Sequence, residues 1–311
     1  MRTRWILLLS VFALLLGTIP AAANGSAGAS AAAFLRHPVG ARPAGMGGAF
    51  TAIADDANAL YFNPGALPRT EWLACQGSSA FLSMDRAQYE GVVVLNLPEL
   101  AAFGLSVNRF GISDIDRRDA TGNPIGTFDD SELALTLGAG RQLLPNLGVG
   151  ASFRYLRHSL ADVDASGFGF DVGLHSRIEV DMEYVNAVNV GVSFSNLGAD
   201  LEWDTPSSHT DEIDVTRRLG AAVEAAATEE IELLAAIDGV KTGDLDAEFH
   251  LGAEAWYREM LALRLGYNDV DATFGASVRL RGIRLDFVYT PDELDEGATK
   301  AISLHFGREG F

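Results

Sequence analysis

From Trp72 onward, apolar residues recur at every second position along the chain. In LGVGASFRY, Leu147, Val149, Ala151, Phe153 and Tyr155 alternate with Gly148, Gly150, Ser152 and Arg154. GFGFDVGLH sets Phe168, Phe170, Val172 and Leu174 against Gly167, Gly169, Asp171, Gly173 and His175, and VNVGVSFSN repeats the pattern. It persists to the end: Leu261, Leu263, Leu265 and Tyr267 oppose Ala262, Arg264 and Gly266, and Ile302, Leu304 and Phe306 oppose Ser303 and His305. Successive residues of a strand point to opposite faces, so each run predicts a strand with one apolar face and one small or polar face.

About fourteen such runs fit between Trp72 and Gly307, each roughly ten residues long, the length a tilted strand needs to cross a bilayer. Tight turns (LPEL, LLPNL, ATEE, YREM, LRG) separate some of them, with a longer exception at EVDMEYVNA. On the other side lie longer polar connections, among them SDIDRRDATGNPIGTF, LADVDAS, GADLEWDTPSSHTDEID and PDELDEGA. Short turns at one rim and longer loops at the other match an outer-membrane barrel. A soluble β-sandwich would also alternate, but its large apolar face would point inward and its charged face outward. Here the polar face is mostly glycine and serine with isolated charges of both signs: Arg154, Asp171, Arg218, Glu224, Glu232, Glu254, Arg264, Arg279, Arg284 and Asp286. Such residues suit a wet, hydrogen-bonded lumen, and the glycines leave room for something inside it. The reading is an all-β fold, a transmembrane antiparallel β-barrel of about 14 strands over residues 72–311.

The N-terminus sharpens the address. Arg2 and Arg4 precede an apolar run from Trp5 to Leu16, and Ala21-Ala22-Ala23 offers a small-residue cleavage pattern. Residues 1–23 therefore read as a signal peptide cleaved near Ala23, and the apolar run is shorter than the roughly 20 residues a spanning helix needs. The expected location is the outer membrane of a Gram-negative-type cell. Formal net charge is −19, and removal of the signal leaves 21 of the 23 basic side chains against 42 acidic ones, a balance that argues against nucleic acid as a partner. The single cysteine, Cys75, supports neither a disulfide framework nor a Cys-based zinc site. The final strand ends in Phe306, with Phe311 beyond it and out of register, so either aromatic is a candidate barrel-assembly signal.

The stretch GMGGAFTAIADDANALYFNPGALP, Gly45–Pro68, precedes the alternating runs. It is no phosphate loop, because no Gly-Lys-Ser/Thr follows the glycines and no βαβ unit holds them. Asp55 and Asp56 are adjacent and expected to point apart in extended or helical backbone, and EF-hand spacing is absent, so no metal site is indicated. An architectural role remains: Gly45, Gly47 and Gly48 permit close packing, and Asn63-Pro64 fixes a turn. Ser303 and His305 lie too far apart along one strand, some 6–7 Å, to form a hydrolase nucleophile and base. No enzyme activity or cofactor is expected. The acidic segments DVDAS, TGDLDAE, NDVDAT and PDELDEG read as a solvated rim.

With these residues in view, Gly40–Pro68 resembles the N-terminal signature of the PorV/PorQ-like branch of the FadL-type outer-membrane barrels. The matching positions are Gly40, Ala41, Arg42, then Gly45, Met46, Gly47, Gly48 and Ala49, then Asp55, Asp56 and Ala57, and finally Asn63 and Pro64 through Leu67. Gly65-Ala66 stand where the family has Ala-Gly. The resemblance implies that residues 24–71 form a small N-terminal hatch inside the lumen. It also implies a secretion-linked (type IX-like) or structural surface role, with secretion-machinery components or secreted cargo as partners beside the membrane lipid. The alternative it carries is a FadL-like channel for hydrophobic small molecules such as long-chain fatty acids.

Overall fold

The computed structural model describes residues 31–291 and 298–308. The expected signal peptide, Phe311 and most of the PDELDEGA connection lie outside the described residues. Sixteen strands follow one another: β1 (Leu73–Phe81), β2 (Ala87–Leu97), β3 (Ala101–Arg118), β4 (Pro124–Leu144), β5 (Leu147–Leu160), β6 (Val163–Glu179), β7 (Val185–Leu197), β8 (Asp200–Trp203), β9 (Thr210–Glu212), β10 (Thr216–Thr228), β11 (Ile231–Thr242), β12 (Glu248–Tyr257), β13 (Leu261–Tyr267), β14 (Ala272–Leu280), β15 (Ile283–Pro291) and β16 (Ala298–Arg308). All but β8 and β9 pair antiparallel in a ring that β1 and β16 close, giving a barrel of 14 strands.

Alternation fixes the register of that ring. Phe153, Phe170, Leu263, Phe274, Phe287 and Leu304 stand exposed on the outer wall, while Arg154, Asp171, Arg264, Thr273, Asp286 and Ser303 are buried on the inner one. A one-residue slip would exchange the two sets, so each strand's register is strongly specified. Exposed side chains as large as these, all around the wall, are what contact with lipid chains requires.

Three connections differ from the sequence expectation. Residues 113–128 keep only a short turn at 119–123: β3 and β4 run on and pair through Ile115↔Phe128 and Asp116↔Thr127, past an irregularity between Ile112 and Ile115. Alternation vanishes there because a ladder with water on both faces needs no apolar side, while its backbone hydrogen bonds persist. LADVDAS shrinks to a tight turn, with Ala161 at φ 52° and β6 starting at Val163. The 198–214 connection carries the β8–β9 hairpin, which pairs onto β6 at Ala165 and Ser166 and buries Leu201.

Candidate functional site

Residues 31–70 run through the barrel interior from the long-loop end to the short-turn end. The path starts with a 3-10 turn, Ala33–Arg36, and continues through short helices at Ala41–Gly45 and Ala59–Phe62 to a second 3-10 turn at Pro64–Arg69. Helices this short are not stable alone, so the wall must hold them. Met46, Phe50, Leu60, Phe62 and Leu67 are almost wholly buried against inward Val92, Val94, Ala102 and Ala222. Near the long-loop end, Phe34 and Leu35 pack with Leu156, Leu201 and Ile213, and Phe34 stacks on Phe110 at 6.1 Å. Burial, reinforced by Arg86 and Arg36, holds the His37 imidazole down at about 4.

Wall glycines set how closely this chain approaches. Gly47 has φ +64°, and a Cβ there would meet the Tyr267 backbone at 2.5 Å; at Gly48, φ +83°, it would meet His250 Nδ1 at 2.6 Å. Conversely, a Cβ on Gly252 of β12 would lie 2.7 Å from the Met46 carbonyl oxygen, and on Gly140 of β4 2.6 Å from that of Pro64. Glycine on both sides lets backbone lie against backbone.

Polar contacts then pin the segment. Ala41 donates its N–H to Ser303 Oγ at 2.8 Å, and Thr273 donates to the Gly45 carbonyl at 3.2 Å. Phe50 and Thr51 both donate to Asp238 Oδ2, at 3.0 and 2.9 Å. Asn63 donates to Thr51 and Leu174 carbonyls and accepts from Gly65 N–H, which fixes the turn at Pro64. Gln76 donates to Asn58 at 2.7 Å, and Gly40 lies against both at φ +88°. Arg69 donates to Asn189 at 2.5 Å and reaches Glu224 at 3.4 Å.

The charged residues fall into separate groups. Arg42 forks onto Glu254 with two contacts of 2.9 Å and also meets Asp55 at 2.5 Å and Asp56 at 3.0 Å. Asp56 continues to Arg284 at 2.7 Å, Arg284 to Asp286 at 2.8 Å, and Arg264 joins Glu254 at 2.5 Å and Asp286 at 3.3 Å. Six charges of this network, all but Asp55, are nearly sealed from water, so each requires its partners: an unpaired buried charge is strongly destabilising. Arg154 and Asp171 form a second pair at 2.7 Å, and Glu224 meets Arg177 at 2.8 Å. Arg218 lies over the Phe62 ring at 5.6 Å and Arg279 over Trp256 at 4.4 Å, both outside these ion pairs. Glu232 stands exposed at the short-turn mouth.

The adjacent carboxylates Asp55 and Asp56 do not point apart but converge on one guanidinium. Their backbone is irregular, entered through Ala54 at φ 35° and bent at Asp56. Sequence reasoning missed Arg42, Arg69, Asn58, Gln76 and Asp238 as anchors. Asp238 and Gln76 sit at inward positions of their strands, so the alternation alone could have marked them. Ser303 and His305 go to different partners, Ser303 to Ala41 and Ser78, His305 to Glu71 at 3.3 Å. Among the described residues no group of three or more His, Cys, Asp or Glu is placed to hold a metal ion.

Several spaces adjoin the filled lumen. A polar vestibule of about 450 Å³ opens at the short-turn end between Arg42, Asp55, Arg69, Glu224, Trp256 and Arg279. On the outer wall an apolar groove of about 500 Å³ runs over Cys75, Gly77 and Gly91, flanked by Val93, Leu105, Val107, Leu304 and Phe306. Gly77 and Gly91 are directly paired, and nothing stands within 4 Å of a Cβ placed on Gly77.

No protein-family model and no curated protein sequence matches the chain. Among solved structures, the chain is similar to the monoaromatic hydrocarbon channel CymD, with 14% identity and a TM-score of 0.54 over 88% of this chain and 98% of that one. It is similar also to the Pseudomonas putida toluene transporter TodX (12% identity, TM-score 0.52, 85% and 95% covered). A Pseudomonas aeruginosa FadL homologue gives 10% identity and a TM-score of 0.52, with 83% and 95% covered. At such identities the likeness is one of fold: this is the architecture of FadL-type outer-membrane β-barrels. It does not reach the finer PorV/PorQ branch.

Proposed function

We propose that the chain is an outer-membrane channel for hydrophobic small molecules, with residues 31–70 serving as a plug against free passage of water and ions. The observation that carries this reading is the apolar filling of the lumen. An open porin keeps a polar, water-filled interior; here Phe34, Leu35, Met46, Phe50, Leu60 and Phe62 occupy it. A hydrophobic solute can exchange contacts with such side chains, whereas a hydrated one would lose its water without replacement. The groove over Gly77 and Gly91 offers an apolar landing on the lipid side. The likeness in fold to CymD and TodX supports the same substrate class.

The test is uptake of radiolabelled toluene and oleate by cells carrying or lacking the protein. The channel reading expects faster uptake of at least one hydrophobe and no change for a sugar of similar size. Unchanged uptake of both would sink it. The secretion-linked alternative rests on the Gly40–Leu67 motif; its own signature would be recovery of a stable protein complex from native membranes.

A further inference from the structure

On the outer wall, Arg217 of β10 and Lys241 of β11 are directly opposite one another. Both belong to the outward set, since Arg218 beside Arg217 is buried in the lumen and Ile237, on the face of Lys241, is exposed. Directly opposed residues have Cβ atoms roughly 4.5–5.5 Å apart, and like charges so placed repel. Neither cation has a carboxylate partner among the described residues: the Lys241 ammonium donates only to the Leu245 carbonyl. Some exposed arginines elsewhere do find one, as in Arg117–Asp162, Arg157–Asp164 and Arg258–Glu230. In a chain with nearly twice as many acidic as basic side chains, an unrelieved cation pair is a local exception.

Its height on the wall says what relieves it. Toward the short-turn end the same faces carry Leu219, Ala221 and Val223 on β10 and Ile237 and Leu233 on β11. Phe194, paired with Arg217, and Phe249, paired with Gly239, stand beside them. The two cations thus lie where the apolar band ends at the long-loop rim, the depth of lipid headgroups. We infer that Arg217 and Lys241 bind the phosphate of an anionic lipid whose chains lie on the adjoining apolar wall. A guanidinium fork and an ammonium together suit one phosphate group. The inference goes beyond the channel reading and does not depend on what crosses the lumen.

The test uses the purified full-length mature barrel in neutral detergent, mixed with phosphatidylglycerol or phosphatidylcholine and examined by native mass spectrometry. Wild type should retain phosphatidylglycerol at least tenfold more than phosphatidylcholine, and Arg217→Gln/Lys241→Gln should lose that preference. Arg118→Gln, on the hairpin beyond the band, should keep it. The double variant removes a repulsion, so it should fold, and its melting temperature should no longer rise when phosphatidylglycerol replaces phosphatidylcholine. Equal retention by wild type and double variant, or an equal rise in melting temperature, would overturn the inference. So would displacement of the lipid by millimolar inorganic phosphate alone, which would assign the pair to a free anion.

Discussion

Arg42→Met tests how the lumen segment is held. The substitution keeps much of the side chain's length and removes a guanidinium that touches Asp55, Asp56 and Glu254. Removing one partner of a buried ion pair costs about 3–5 kcal/mol. The lower end applies here, because Asp56 keeps Arg284, Glu254 keeps Arg264, and the Asp55 side chain is 38% exposed to water. About 3 kcal/mol corresponds to roughly a hundredfold rise in the unseated fraction, at tenfold per 1.4 kcal/mol. Arg42→Lys should recover part of this, since it restores the charge but not the fork onto Glu254. Asp56→Asn should loosen the segment more than Asp55→Asn, because Asp56 is sealed between two arginines and Asp55 is not. Single-channel recording in a planar bilayer reads the unseated state as opening events. Wild-type opening frequency in Arg42→Met, with assembly confirmed by heat-modifiable gel migration, would refute the ionic anchoring.

Gly47→Val and Gly48→Val should each destabilise the folded barrel by overpacking, at about 1–3 kcal/mol, with added strain from positive φ; denaturant unfolding in micelles measures it, and wild-type midpoints would contradict the close approach to Tyr267 and His250. His37 supplies a pH dependence. Its half-buried imidazole binds its proton only near pH 4, whereas a released one does so near 6.5. The released state therefore binds more protons between those values, so the seat weakens as pH falls from about 6.5 to about 4. Tryptic cleavage after Arg36 should accelerate over that window once the protease's own pH profile is divided out, and His37→Phe should flatten the response. Leu263→Arg, at a fully outward position, should cost about 2–4 kcal/mol in a bilayer if it lies at mid-depth, a loss readable as a shifted unfolding midpoint.

The barrel was legible because lipid on one face and a lumen on the other impose a period of two, and that period is written into Phe153/Arg154 or Phe287/Asp286 without help from distant contacts. Where water meets both faces, as along Arg117 and Thr127, the period lapses and strand reads as loop. The inner segment carried less signal. Glycines at 45, 47 and 48 announce close packing but not the surface they approach, which comes from β12 to β14, some 200 residues away. The convergence of Asp55 and Asp56 depends on a bend whose shape the wall selects, so local propensity could not show it. Charges that pair across such distances, Arg42 with Glu254 or Asp56 with Arg284, have no spacing rule in the sequence.

The most direct measurement is ionic conductance of the wild-type barrel and of a variant lacking residues 40–68, recorded side by side in planar bilayers. A lumen filled as described predicts a nearly closed wild type and a persistent pore in the deletion. An assembled deletion variant with wild-type conductance would contradict the plug, and with it the proposed means of excluding water and ions.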